Sequence, residues 1–123
     1  MNNEFEYIEQ DGKIVLTKYC GDGGAVVIPS EIDGKPVTII GENAFSGCNF
    51  LTSVVIPKSV TAIGDEAFRG CTSLTSVIIP EGVTKIGDGA FKGSRSLTIS
   101  APAGSKALQY AKENNIPYKI IED

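Results

Sequence analysis

The chain repeats itself every 23 residues, and a fixed short period restricts the fold before composition is considered. Leu51-Thr52-Ser53-Val54-Val55-Ile56-Pro57 returns as Leu74-Thr75-Ser76-Val77-Ile78-Ile79-Pro80. The same shift relates Val60 to Val83, Ile63 to Ile86, Gly64 to Gly87, Ala67 to Ala90, Phe68 to Phe91 and Gly70 to Gly93. It extends backward, because Ile40-Gly41 and Ala44-Phe45-Ser46-Gly47-Cys48 precede Ile63-Gly64 and Ala67-Phe68-Arg69-Gly70-Cys71 by the same interval. A unit this small cannot bury its own apolar edge, so it must stack on its neighbours as a solenoid. The first copy is expanded by five residues: Pro29 to Ile40 is eleven steps, whereas Pro57 to Ile63 is six. Leu97-Thr98-Ile99 opens a truncated fourth turn, in a register ambiguous by three residues.

One repeat already contains a plan. Ser53 to Ile56 is β-branched and alternating, which suits a short strand with Val54 and Ile56 inward and Val55 outward. Pro57 ends it, because proline has no N–H to donate. Val60 and Ile63 turn back into the core, and Gly64 permits a tight corner. Asp65 reads as the cap of a short helical turn with Ala67 and Phe68 inward, closed by Gly70. Rungs stacked at roughly 4.8 Å put equivalent residues in columns, so Phe45, Phe68 and Phe91 are expected to form one aromatic spine.

The ends differ from the repeats. Residues 4–9 and 13–19 read as a hairpin around Asp11-Gly12, a strong turn signal. Ser105 is a candidate cap for a helix from Lys106 to Asn114 with Ala107, Leu108 and Ala111 on its apolar face. Pro117 to Ile121 reads as a closing strand. The division is a single domain over 1–123: a hairpin cap (1–24), an expanded first repeat (25–50), a second (51–73), a third (74–96), and a truncated repeat with its cap (97–123). The expected fold is an α/β solenoid. It is a right-handed coil with a parallel β-sheet on the concave face, short helical turns on the convex side, an N-terminal β-hairpin cap and a C-terminal helix–strand cap.

The phrases "LTSVVIPKSVTAIGDEAFRGC" and "LTSVIIPEGVTKIGDGAFKGS" resemble the BspA-like, Treponema pallidum-type leucine-rich repeat family. The opening "VVIPSEIDGKPVTIIGENAFSGC" and the ending "AGSKALQYAKENNIPYKII" are similar to that family's usual first repeat and C-terminal cap. The resemblance spans about residues 14–121. It implies a non-enzymatic binding module at the surface of bacteria, or secreted by them, engaged in adhesion and protein or glycan binding. It brings no catalytic residues. The general leucine-rich pattern has Asn or Cys after the strand; here Ser59 and Gly82 stand there, so apolar packing is expected in place of an asparagine ladder.

Composition narrows function by exclusion. The chain has no histidine, which removes the commonest general base and the commonest metal ligand. The net charge of −4 argues against nucleic-acid binding. No apolar run is long enough to span a membrane. The N-terminus, Met1-Asn2-Asn3-Glu4-Phe5, has no basic region followed by an apolar stretch, which suggests a cytoplasmic protein or one whose leader has been removed. A second functional reading is therefore a small intracellular inhibitor or effector on the same scaffold, of the kind a mobile element could encode. No catalytic, cofactor or metal site is assigned.

Several residues could still carry chemistry. Cys48 and Cys71 share a column and read as small buried ladder residues, with a redox disulfide or half a metal site as the alternative. Cys20, in the glycine-rich loop Gly21-Asp22-Gly23-Gly24, is the candidate reactive thiol. That loop lacks the Lys-Ser/Thr and helix of a phosphate loop and reads as a connector. Glu42, Asp65 and Asp88 form an acidic column, read as turn capping with Arg69 and Lys92 as partners to Asp65 and Asp88; a calcium site is the alternative. The candidate binding face is an outward strand column of Val27, Val55 and Ile78, extended to Thr98. Ala25, Ser53, Ser76, Thr52 and Thr75 lie around it, and Ser30, Lys58 and Glu81 lie beyond the strand ends. An apolar stripe with a polar rim suits recognition of a protein or surface glycan, although strand propensity alone also explains it. The free chain is expected to be a monomer or a weak homodimer joined through solenoid edges.

Overall fold

The computed structural model describes residues 4–122. The first three residues of the expected N-terminal cap, and Asp123, lie outside the described residues. Among the described residues, eleven strands and one helix wind into a solenoid with two sheets. The chain opens with β1 (Phe5–Gln10) and β2 (Lys13–Tyr19), followed by β3 (Gly24–Val27), β4 (Glu31–Ile32) and β5 (Lys35–Ile40). The repeats supply β6 (Leu51–Val55), β7 (Ala62–Ile63), β8 (Ser76–Ile78) and β9 (Lys85–Ile86). Then come β10 (Thr98–Pro102), α1 (Lys106–Glu113) and β11 (Tyr118–Ile121). One sheet runs β11-β10-β8-β6-β3; the other runs β1-β2-β5-β7-β9, with β4 paired to β5.

The expected inward and outward positions hold. Val54, Ile56, Val60 and Ile63 are buried, while Val55 is only half-buried. Pairing within the first sheet is parallel throughout, and it joins Val26, Val54, Val77, Ile99 and Tyr118 in one inward column. Phe45, Phe68 and Phe91 stack at 4.7 and 5.1 Å, with their planes within 13° and 7° of parallel. Tyr19 adds a ring at 5.1 Å on the N-terminal side. Phe5 closes that end edge-on to Phe45, and Tyr110 from α1 closes the other end edge-on to Phe91. The caps are thus built into the spine, since edge-to-face contact ends a stack favourably.

The convex segments differ from the expected helical turns. Ala67 N–H donates to Gly64 O and Arg69 N–H to Glu66 O, three residues back in each case. The intervening Glu66 and Phe68 amides donate to Asp88 and Ala90 of the next rung. Asn43, Glu66 and Gly89 occupy one column with φ of 60°, 56° and 64°, a left-handed conformation that interrupts any helix. These segments are therefore chained tight turns that bond from rung to rung. The second sheet was also not anticipated, because its strands β7 and β9 are two residues long and show no alternation.

The ends follow the sequence. Asp11 and Gly12 both adopt positive φ, 54° and 77°, as a two-residue hairpin turn requires. The five-residue expansion folds the same way: Asp33-Gly34, at 54° and 76°, joins β4 to β5 and leaves the rung spacing intact. Tyr7 Oη donates to Asp33 Oδ2 at 2.6 Å and ties the cap to this insertion. At the other end, Ser105 Oγ accepts from Leu108 N–H at 3.2 Å and caps α1.

Rungs approach most closely at Gly41, Gly64 and Gly87. A Cβ on Gly64 would lie 2.7 Å from Glu42 N. Gly82 has room, because its nearest neighbour would be 3.5 Å away, and the corresponding positions hold Glu31 and Ser59. Gly64→Ala should therefore cost about 1–3 kcal/mol, as overpacking does. Gly82→Ala should be neutral or stabilising by up to about 1 kcal/mol. Urea unfolding of both variants checks this; equal effects would contradict the close-approach account.

Candidate interaction surface

The candidate face is the outer side of the five-stranded sheet. Parallel pairing sets Val27 beside Val55 and Val55 beside Ile78. Val27 is 72% exposed and Ile78 37%. The column then continues to Ser100 and Lys119, not to Thr98. Thr98 pairs with Ser76 and extends the neighbouring column of Ala25, Ser53 and Ser76. The reason is local: Leu97 is followed by one residue before inward Ile99, whereas Leu74 has two before Val77, so the spacing there falls to 22. Lys58 and Glu81 follow the strand-ending prolines and flank, with Pro80 and Gly82, a shallow depression of about 220 Å³. Val27, Ser53, Val55, Ser76, Ile78, Lys58 and Glu81 therefore lie on or beside one sheet surface.

Hydroxyls and thiols stitch neighbouring rungs together. Thr75 Oγ1 donates to Thr52 O at 3.2 Å, and Thr61 Oγ1 to Thr38 O at 3.3 Å. Ser94 Oγ donates to Phe68 O at 2.8 Å and accepts from Cys71 N–H at 3.2 Å. Cys71 Sγ is 3.1 Å from Phe45 O, the same relation one rung earlier. Inter-rung packing is thus not purely apolar: the Cys48–Cys71–Ser94 column supplies the polar ladder that Ser59 and Gly82 were expected to lack.

All three cysteines are free thiols. Burial pushes the Cys71 thiol up from its ordinary 9.0 to about 11, and burial also raises Cys48. Cys20 is exposed, with Sγ 3.8 Å from Glu6 Oε2. In the acidic column, Asp65 Oδ1 accepts from Asp88 N–H at 2.9 Å, so it caps the next rung. Arg69 pairs with Glu66 at 2.9 Å, not with Asp65 as expected. Among the described residues, no group of three or more carboxylates and thiols is placed to hold a metal ion. In the glycine loop, Gly23 N–H donates to Tyr19 Oη at 2.9 Å, and strand β3 follows it.

The sequence reasoning passed over Phe50, which is 78% exposed. Its signal was available: the same column holds Ser73 and Ser96, so an aromatic residue there is not part of the repeat. Tyr118 and Ile120 were also missed; they end inward columns at the last strand and are 42% and 60% exposed.

A family model for the BspA type leucine rich repeat region, six copies, matches residues 34–114. The chain belongs to this family. It is similar to a leucine rich cell surface protein of Faecalibacterium prausnitzii, 36% identical with a TM-score of 0.74, over 80% of this chain and 29% of that one. A leucine-rich repeat protein of Bacteroides capillosus is 34% identical with a TM-score of 0.74, over 86% of this chain and 83% of that one. One from Bacteroides ovatus is 28% identical with a TM-score of 0.70, over 82% and 30%. The chain thus spans less than a third of two of these proteins. No curated protein matches it. Among the described residues, no helix is long and apolar enough to cross a membrane.

The thiol geometry makes a direct prediction. A thiol whose folded pKa exceeds its unfolded value stabilises the fold below pH 9, and that contribution is lost as pH rises from 9 towards 11. At pH 8 an alkylating reagent should label Cys20 first. Cys71 should react at least about a hundredfold more slowly than in the unfolded chain, because less of it is thiolate. Mass spectrometry of timed labelling reads this; equal labelling of Cys71 and Cys20 in folded protein would contradict it.

Proposed function

We propose that this chain is a non-enzymatic binding module that engages a protein partner through the outer face of its five-stranded sheet. The observation that carries this reading is the unbroken outward column Val27–Val55–Ile78. Its members stand outside the core, and the solenoid needs no apolar side chains there. Small hydroxyl residues, Ser53, Ser76 and Thr98, run beside it, and Lys58 and Glu81 supply charge at the rim. An apolar centre with a polar rim is the usual anatomy of a protein interface. The family supports the same reading, since leucine-rich repeats serve generally as binding scaffolds. A surface glycan is the other ligand class such a family suggests.

Five strands at roughly 4.8 Å make a face about 20 Å wide. That suits one interface of modest size, not a wrapped ligand. The test is a pull-down from cells or host extract with the chain as bait and Val55→Asp/Ile78→Asp as control. The double variant should keep the native circular dichroism spectrum and lose the captured partner by at least about tenfold, as loss of a central apolar pair does. Undiminished capture by a folded double variant would place the interface elsewhere.

A further inference from the structure

The first strand of the five-stranded sheet, β3, is an open edge with a pocket beside it. Gly24 donates to the carbonyl of Phe50, just before β6, and Ile28 to that of Val55 on β6. Alternation in a parallel ladder then turns the N–H and C=O of Ala25 and Val27 the other way. Among the described residues no strand lies beyond β3 in that sheet, and both residues are exposed. An unpaired row of this kind is a template for another strand, and proteins usually blunt it with charge or proline. β3, Gly-Ala-Val-Val, carries neither.

Three further observations converge on the same edge. Among the described residues, Val27 and Phe50 are more exposed than the other exposed large hydrophobics, at 72% and 78%. Phe50 adjoins the start of β3 through the Gly24–Phe50 hydrogen bond. Next to it lies a cavity of about 420 Å³, lined by Tyr19, Asp22, Gly23, Cys48, Phe50 and Leu51. Among the described residues, the only charge in that lining is Asp22. Two further carboxylates lie close by: Glu6 Oε2 is 3.8 Å from Cys20 Sγ, and Glu4 acts with Asp22 on the Tyr19 hydroxyl. By contrast the opposite edge strand, β11, carries the charged Lys119.

We infer that β3 is a strand-addition site for an extended basic segment of another protein. The partner's backbone pairs with Ala25 and Val27, one apolar side chain enters the cavity beside Phe50, and flanking Lys or Arg side chains meet the acidic N-terminal region. Strand addition draws affinity from main-chain bonds and specificity from side-chain pockets, and this edge offers both. It is separate from the outer-face interface, because it uses the rim of the sheet.

The probes are blocked heptapeptides of alternating Lys and Val with Leu or Phe at the centre. The controls are the Glu-for-Lys versions and versions N-methylated at alternate amides. Titration into the isotope-labelled chain, followed by NMR, should move the Ala25 and Val27 amides with the basic peptides. The Glu peptides and the N-methylated peptides should fail. Phe50→Ser, which installs the residue of the other rungs, should weaken binding by about tenfold. Ile120→Ser, on the opposite edge strand β11, should leave it unchanged, which confines the site to the β3 edge. No movement of Ala25 and Val27 with any basic peptide overturns the inference. So does retained binding of the N-methylated peptides. Movement of those amides on raising the protein's own concentration, without peptide, would assign the edge to a second copy and also overturn it.

Discussion

The stacked aromatic column sets the geometry of the molecule. Phe45, Phe68 and Phe91 sit 4.7 and 5.1 Å apart, which is also the natural rise between paired strands. Ring contact and strand pairing therefore demand the same repeat, and every other column inherits it. Any residue added to a rung must leave that stack undisturbed, so the five-residue expansion emerges as the β4–β5 hairpin. The glycines at 41, 64 and 87 serve the same end, since a side chain there would push adjacent rungs apart. The caps end the stack by turning Phe5 and Tyr110 edge-on to it.

Polar groups follow the columns too. Asp65 reaches the amide of Asp88, and Ser94 reaches the carbonyl of Phe68. Each bond spans one rung, so it satisfies groups that a tight turn leaves without a local partner. A solenoid made this way keeps its inter-rung chemistry inside and leaves its strand face and strand edges free. Those are the two surfaces proposed for binding: the Val27–Val55–Ile78 column on the face and the Ala25/Val27 backbone at the rim.

Much of this was legible because repetition substitutes for an alignment. The 23-residue shift placed the three phenylalanines in one column and assigned the faces of Val54, Val55 and Ile56. Asp11-Gly12 and Ser105 marked the ends through ordinary turn and cap chemistry. The convex turns misled because Gly64-Asp65-Glu66-Ala67-Phe68 carries a cap residue followed by apolar residues at helical spacing. What breaks the helix is the left-handed Glu66, and glutamate gives no hint of it. The column does: Asn43 and Gly89 are residue types that tolerate that conformation. The second sheet was hidden because two-residue strands have no period. Thr98 was misplaced because the last turn drops one residue, a change that only pairing reveals. The candidate face was read from alternation, whereas Phe50 stands out only against Ser73 and Ser96 in its column.

If rungs are interchangeable units held by matched columns, removing one whole unit should leave a solenoid. The direct test is thermal unfolding of a chain lacking residues 51–73, followed by circular dichroism. The deletion joins Phe50 to Leu74, sets β3 against β8 and brings Phe45 onto Phe91. The account predicts a cooperative transition from a β-rich state, at lower temperature than the parent, because one interface fewer remains. A chain without a cooperative transition would show that the fold depends on particular rungs and not on their stacking.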